Sequence, residues 1–217
     1  MTASLAERGL LLDLDGTLAD SVRALKQVYF SFLAQFSAVG DEAEFERLNG
    51  PPLAQIVAEL KLLYGLPGDS DDLLKNYLAL VQQAHRVAQP AAGARKLILH
   101  ARSAGWKIAV VTSSPRLSAS RWLTAAGLFN DIDVVVGGDE VVSGKPAAEP
   151  YVLGLARLQC SAAVSHAVED SRIGARSALA AGLNTWAISS PGERHSWPVG
   201  VVFIDRLIDL LERLPWR

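Results

Sequence analysis

Two aspartates, Asp13 and Asp15, stand at the end of the apolar run Leu10-Leu11-Leu12 and are followed at once by Gly16 and Thr17. On an extended backbone alternate side chains share a side, so this pair projects one way while Leu12 and Leu14 project the other. Carboxylates placed that deep are costly unless a positive charge offsets them, and a divalent cation is the usual offset for a pair. Gly16 breaks the strand and lets backbone N–H groups turn toward whatever the carboxylates hold. Three readings compete: two solvated aspartates at a strand end, a calcium loop, or a nucleophilic carboxylate beside an acid/base carboxylate with Mg2+ next to a phosphoryl group. The calcium loop fails on spacing, because its fifth, sixth and twelfth positions would be Thr17, Leu18 and Ala24 where an acid or amide, Gly and Glu are needed.

Phosphoryl chemistry requires further parts, and they occur where later apolar runs end. Residues 108–111 run into Thr112-Ser113-Ser114, whose hydroxyls and backbone donors suit phosphate oxygens and equally suit a helix cap. Ser143-Gly144-Lys145-Pro146 pins one Lys between turn residues. Such a Lys is either a solvated charge or a point charge that neutralises a phosphoryl oxygen. Residues 164–168 end in Glu169-Asp170-Ser171, a second acidic pair. Acids gathered in this way raise one another's pKa and cost stability unless a metal intervenes. Asp15 in particular, desolvated and next to Asp13, is expected to have a raised pKa, as a general acid needs.

The elements that must position these groups follow from periodicity. Residues 10–14 read as a strand buried on both faces. Asp20 or Ser21 can cap a helix with apolar positions Val22, Leu25, Tyr29, Phe32, Leu33 and Phe36, and Gly40 closes it. Pro52 opens a second helix that stops at Gly65, and Ser70-Asp71-Asp72 open a third, so residues 19–89 read as wholly helical. After Pro90 helix and strand alternate: helices over 94–104, 116–126, 146–158 and 171–181, strands over 106–111, 134–136, 164–168, 185–188 and 199–204, then a terminal helix capped by Asp205. Ala104-Gly105-Trp106, Ala126-Gly127-Leu128 and Ala181-Gly182-Leu183 repeat one helix exit, Gly followed by an apolar residue. Alternation of this kind predicts an α/β fold, a doubly wound, Rossmann-like parallel sheet, with ligands beyond the carboxyl ends of the strands.

Composition narrows the partners. The 217 residues allow one large domain, or a core with a smaller companion, and a net charge of −2 gives no basic field for nucleic acid. The single Cys160 excludes an internal disulfide. Neither a signal core nor a run of about 18 apolar residues is present, so a cytoplasmic protein with no membrane partner is expected.

In order, Asp-x-Asp-Gly-Thr, Thr/Ser after a strand, Gly-Lys-Pro and Glu-Asp-Ser resemble the haloacid dehalogenase-like (HAD) hydrolase superfamily, in the branch of phosphoglycolate phosphatases and β-phosphoglucomutases. The resemblance spans residues 10–188. It implies a core over 1–18 and 91–217 and an all-helical cap domain inserted over 19–90. By the same resemblance Asp13 is the nucleophile and Asp15 the acid/base. Gly16, Thr112, Ser113 and Lys145 hold the phosphoryl group, and Asp13, Asp15 (through its backbone carbonyl), Glu169 and Asp170 hold Mg2+. The implied activity is a Mg2+-dependent phosphatase acting on a small phosphorylated metabolite, phosphoglycolate-like or a sugar phosphate, as a monomer or homodimer. A phosphosugar mutase and a non-catalytic phospho-ligand module are the alternatives. The run Pro146-Ala147-Ala148-Glu149-Pro150-Tyr151 departs from the usual Pro-x-Pro-(Asp/Glu)-x-Phe, a change expected to affect packing.

Substrate choice falls to the inserted helices, because the core grips only phosphate. Six Lys/Arg against nine Asp/Glu over residues 19–90 leave that segment at −3, which does not favour a multiply anionic ligand. Asn49, Gly50 and Pro51 form the loop expected to face the site. Arg47 and Lys61 are either carboxylate partners there or ordinary solvated charges.

Overall fold

The computed structural model describes residues 7–216. Its centre is β1 (Gly9–Leu12), four residues without an exposed side chain, paired in parallel on one side with β4 (Lys107–Val111) and on the other with β6 (His166–Glu169). With β5 (Val134–Val136), β7 (Asn184–Ile188) and β8 (Val202–Ile204) the sheet order is β5-β4-β1-β6-β7-β8, parallel throughout. The strands are continuously apolar because both faces are covered. Leu10 and Leu12 pack with Leu97 and Ile98 of α5 (Ala94–Ser103) and Trp122 of α6 (Arg116–Ala125). Leu11 points the other way, to Tyr151 and Leu155 of α7 (Glu149–Leu158) and Ala178 of α8 (Arg172–Ala180). The doubly wound fold expected from the alternation is therefore present.

The three Ala-Gly-apolar exits act as read from the sequence. Gly105, Gly127 and Gly182 take φ of 77°, 66° and 79°. The apolar residue after each donates its N–H back into the helix it leaves, as Leu128 does to Leu123 at 2.8 Å.

Four helices separate the first strand from the rest of the sheet: α1 (Val22–Ala34), α2 (Glu42–Arg47), α3 (Leu53–Tyr64) and α4 (Ser70–Val87). They have an apolar core of their own, built around Tyr29, Phe32, Leu33, Val57, Leu60 and Tyr77. Residues 19–89 are not wholly helical, however. β2 (Ala19–Asp20) and β3 (Gln89–Pro90) pair antiparallel, Ala19 with Pro90 and Asp20 with Gln89, so both connections to the sheet run through one short ribbon. Two residues carry no period, which is why the ribbon is invisible in the sequence.

Other boundaries shift for local reasons. The first strand stops at Leu12, because the Leu14 carbonyl accepts from the N–H groups of Thr17, Leu18 and Ala19 and winds the chain into a tight turn. The helix expected from 146 begins at Glu149, whose carboxylate accepts from the N–H groups of Val142 and Ser143 and ties down the loop before it. The strand expected over 164–168 runs over His166–Glu169, after a short 3-10 turn at Ala162–Val164. Val202–Ile204 is the strand expected over 199–204, and a 3-10 turn at Leu207–Asp209 precedes α9 (Leu210–Arg213). Among the described residues no helix is long and apolar enough to cross a membrane.

Candidate active site

Three neighbouring strands deliver their ends to one place. Asp13 follows β1 and donates its N–H to the Val168 carbonyl at 3.0 Å; Thr112 follows β4 and donates to Val136 at 3.0 Å; Glu169 closes β6. The sheet ladder thus continues one residue past β1 and β4, which fixes where those side chains leave. In open parallel sheets this edge, beside the strand from which the chain departs to both sides, is where ligands bind. A cleft with a cavity volume of about 70 Å3 separates it from the helical unit, with Asp13, Asp15, Thr112 and Asp170 among its lining residues.

The floor of the cleft is densely charged. Lys145, 2% exposed, donates to Asp13 Oδ1 at 2.6 Å, to Glu169 Oε1 at 2.6 Å and to the Val111 carbonyl at 3.0 Å. An ammonium has three hydrogens, so all of them are engaged. Burial alone would lower the Lys145 pKa, but the charges of Asp13 and Glu169 outweigh it and raise it above the ordinary value. Tyr151 donates to Glu169 Oε1 at 2.6 Å and Ser171 to Oε2 at 3.2 Å, leaving the fully buried Glu169 with donors on both oxygens. A Cβ at Gly174 would lie 2.1 Å from both of those oxygens, so Gly there is required by the close approach of the carboxylate. Burial raises the Asp13 pKa, with Lys145 opposing it and Glu169 and Asp170 adding to it. Asp170 is pushed up to about 7, first by burial and then by Glu169.

Carboxylate oxygens of Asp13, Glu169 and Asp170 lie within 4.8 Å of one another. The donor set is all hard oxygen, which suits Mg2+ and not a thiophilic metal; burial first, and then the neighbouring carboxylates, raise the pKa of Asp13 and Asp170, and a cation would offset both. Glu169, already bonded by Lys145, Tyr151 and Ser171, is the least free of the three; Asp13 and Asp170 fit the ion best.

Asp15 has different partners. Asp13 and Asp15 line the same cleft, and the Asp15 carboxylate also reaches the seam between sheet and helices. His85 Nε2 of α4 stands 2.7 Å from Oδ1, Ser21 donates to Oδ1 at 2.7 Å, and Ser114 donates to Oδ2 at 3.3 Å. Burial would raise its pKa, but the charge and hydrogen bond of His85, with the two serines, outweigh burial and lower it. The raised value expected from the sequence is thus overturned by a partner 70 residues away. An ionised carboxylate only accepts, so His85 Nε2 carries the hydrogen of this contact. His85 itself is 6% exposed and its Nδ1 has no partner.

Of the remaining residues singled out in the sequence, Gly16 has φ +83° and a Cβ there would meet Asp170 Oδ2 at 2.0 Å, which makes Gly necessary where the first acidic loop touches the second. Thr112 lines the cleft, and its hydroxyl accepts the Ser114 N–H at 3.1 Å. Ser113 instead donates to the Gly50 carbonyl at 2.6 Å, and Asn49 donates to Asp170 Oδ2 at 3.3 Å, so the loop at 49–51 does face the site and is bonded to it. Arg47 pairs with Glu59, and Lys61 donates to the Gly68 carbonyl at 2.8 Å and to Ser70 at 3.2 Å; neither lines the cleft. Ser114 belongs to the hydroxyl-rich run that the sequence marks, whereas His85, Ser21 and Tyr151 carry no site signal there. Ser21 stands where a helix cap belongs, and a lone His near a helix end carries no signal of its own.

The chain matches the sequence profile of the haloacid dehalogenase-like hydrolases over residues 10–188. A phosphoglycolate phosphatase of Cereibacter sphaeroides is 30% identical over 222 residues, covering 95% of this chain and 98% of that one. The bifunctional riboflavin kinase/FMN phosphatase of Arabidopsis thaliana is 26% identical over 203 residues, covering 93% of this chain and 54% of that one, so the chain spans about half the length of that relative. CbbY from Rhodobacter sphaeroides, solved in complex with phosphate, superposes with a TM-score of 0.80 at 26% identity, covering 97% of this chain and 99% of that one.

Proposed function

The chain belongs to the haloacid dehalogenase-like hydrolase family, within the branch that phosphoglycolate phosphatases occupy, and from this premise of a phosphatase we propose that it hydrolyses a small organic phosphomonoester in two steps through an aspartyl-phosphate at Asp13. The observation that carries this reading is the placement of Asp13: at the carboxyl end of the central strand, in the cleft wall, with one oxygen bonded to Lys145 and an acidic neighbour suited to Mg2+.

In the first step a carboxylate oxygen of Asp13 attacks phosphorus, the bond from phosphorus to the alcohol oxygen breaks, and the alcohol leaves with a proton that protonated His85 passes through the Asp15 carboxylate. In the second, water attacks phosphorus, its proton passes to Asp15, and the acyl phosphate opens to Asp13 and inorganic phosphate. Covalent catalysis of this kind divides one difficult displacement into two easier ones. Asp15, ionised and held by His85, Ser21 and Ser114, is in the form the second step needs, that of a base. Mg2+, held by Asp13 and Asp170, would supply charge neutralisation at the phosphoryl oxygens. Thr112, which lines the cleft, would bond the same group through its hydroxyl. Lys145 holds Asp13 in place and contributes its charge to the field there.

The helical unit, residues 19–90, serves as a cap. Its contacts through Asn49 to Asp170 and through Gly50 to Ser113 close it onto the two acidic strand ends, and the β2/β3 ribbon is the place where it can swing. Closure of this kind excludes bulk water during transfer.

Phosphate release from a panel of small monoesters, with Mg2+ and with a chelator, tests the reading. Release that needs Mg2+ and disappears in Asp13→Asn supports it. Isomerised sugar phosphate without net phosphate would establish a mutase instead, and a silent panel a binding module.

A further inference from the structure

The floor of the cleft is ionic, but the wall that faces it is not. Phe45, Leu53, Ile56, Tyr77 and Val81, drawn from three helices of the cap, form that wall, with the Asn49 amide at its edge and the fully buried Tyr29 behind it. The Tyr29 hydroxyl is turned away to Glu44, which also accepts from Tyr64 at 2.9 Å, so a carboxylate stands behind the wall. Tyr77 has no hydrogen-bond partner among the described residues and leaves one neutral hydroxyl on the wall.

Each cation of the cap is placed elsewhere. Lys26 pairs with Glu42 at 2.6 Å, Arg47 with Glu59 and Lys75 with Asp72 at 3.1 Å. Lys61 is bonded to Gly68 and Ser70. Arg23 is exposed, and Arg86 lines a separate hollow between α4 and α6. His85 addresses Asp15 through Nε2. Among the described residues, no Lys or Arg of the cap lines the cleft, and Lys145 beneath its floor is fully engaged by Asp13, Glu169 and the Val111 carbonyl.

Resting on the phosphatase reading above, we propose that the alcohol part of the substrate is uncharged and mainly apolar, an alkyl or aryl-alkyl group with at most a few hydroxyls. A carboxylate or second phosphate on that part would shed water against aliphatic and aromatic carbon with Glu44 behind it and no cation to receive it. Uncompensated burial of that kind is strongly unfavourable, whereas an apolar group gains from every CH2 it buries. Specificity then comes from rejection of a second charge as well as from attraction. The carboxylate of phosphoglycolate, named for the relative, is the group this wall is least suited to hold.

The test compares kcat/KM of the Mg2+-loaded enzyme for n-butyl phosphate and benzyl phosphate with that for 2-phosphoglycolate and butane-1,4-diyl bisphosphate, all primary esters. The uncharged pair is expected to exceed the charged pair by about tenfold or more, a difference of about 1.4 kcal/mol. Equal or better turnover of the charged pair overturns the inference and leaves the phosphatase reading standing, while a panel that is silent throughout overturns both. Leu53→Lys, at the half-buried start of α3, should move the ratio toward 2-phosphoglycolate by about tenfold. Should that variant fail to fold, Leu25→Lys on α1 serves the same purpose. An unmoved ratio in a folded variant would show that the wall does not set the choice.

Discussion

The floor and the roof of one cleft are built on opposite principles. On the floor, Lys145, Glu169 and Tyr151 are buried and bonded to one another, and Asp13 is held among them. On the roof the contacts are carbon on carbon, in a core that the four helices share with no strand of the large sheet. A network of ionic groups is intolerant of change, since removing one member leaves the others charged and buried. An apolar wall tolerates exchange of one residue for another of similar volume. Chemistry can therefore stay fixed on the floor while the roof varies, and the two regions should answer mutation in different ways.

The floor should break first and hardest. Asp13→Asn is expected to lower kcat by about 100-fold or more with the fold unchanged, measured by phosphate release alongside circular dichroism; more than about 1% residual activity would count against Asp13 as nucleophile. Lys145→Ala strands Asp13 and Glu169 without their cation, and urea titration should show a loss of about 3–5 kcal/mol. On the roof, Tyr77→Phe removes a hydroxyl with no partner among the described residues, so stability should change by under about 0.5 kcal/mol, with any effect confined to KM for hydroxyl-bearing substrates. A large stability loss there would blur the distinction between the regions.

Between these extremes lies the seam, where the roof touches the floor through His85 and Asp15. His85→Ala should cost about 1–3 kcal/mol by leaving the half-buried Asp15 carboxylate short of a donor. The pair also fixes the sign of a pH effect. The Asp15 pKa is lowered from 3.8, which contributes stability above that value; the His85 pKa is raised from 6.5, burial opposing and Asp15 prevailing, which contributes stability below that value. The difference between wild type and His85→Ala in urea midpoint should thus be greatest between pH 3.8 and 6.5 and shrink as pH rises through the folded value of His85. A difference that grows above pH 7 would contradict the assignment.

The floor was legible in the sequence and the roof much less so. Asp13, Lys145, Glu169 and Asp170 each end a buried run or sit between turn residues, and local spacing is enough to mark them. The helix exits at Gly105, Gly127 and Gly182 were legible for the same reason, since a left-handed cap is a local requirement. Contacts that depend on tertiary placement left no such trace. His85 reaches Asp15 across 70 positions, and Ser21, placed where a helix cap belongs, makes no cap bond and donates to Asp15 instead. Arg47 and Lys61, open as carboxylate partners, are engaged on the outside of the helices, because an exposed acid or carbonyl beside them competes without the cost of burial.

Covalent attachment of phosphorus to Asp13 is the central claim, and trapping is its most direct test. Acid quench during steady turnover, followed by borohydride reduction and peptide mass mapping, should convert residue 13 to homoserine, since an acyl phosphate is reduced and a free carboxylate is not. An active enzyme whose residue 13 emerges as unaltered aspartate while another carboxylate is reduced would contradict it.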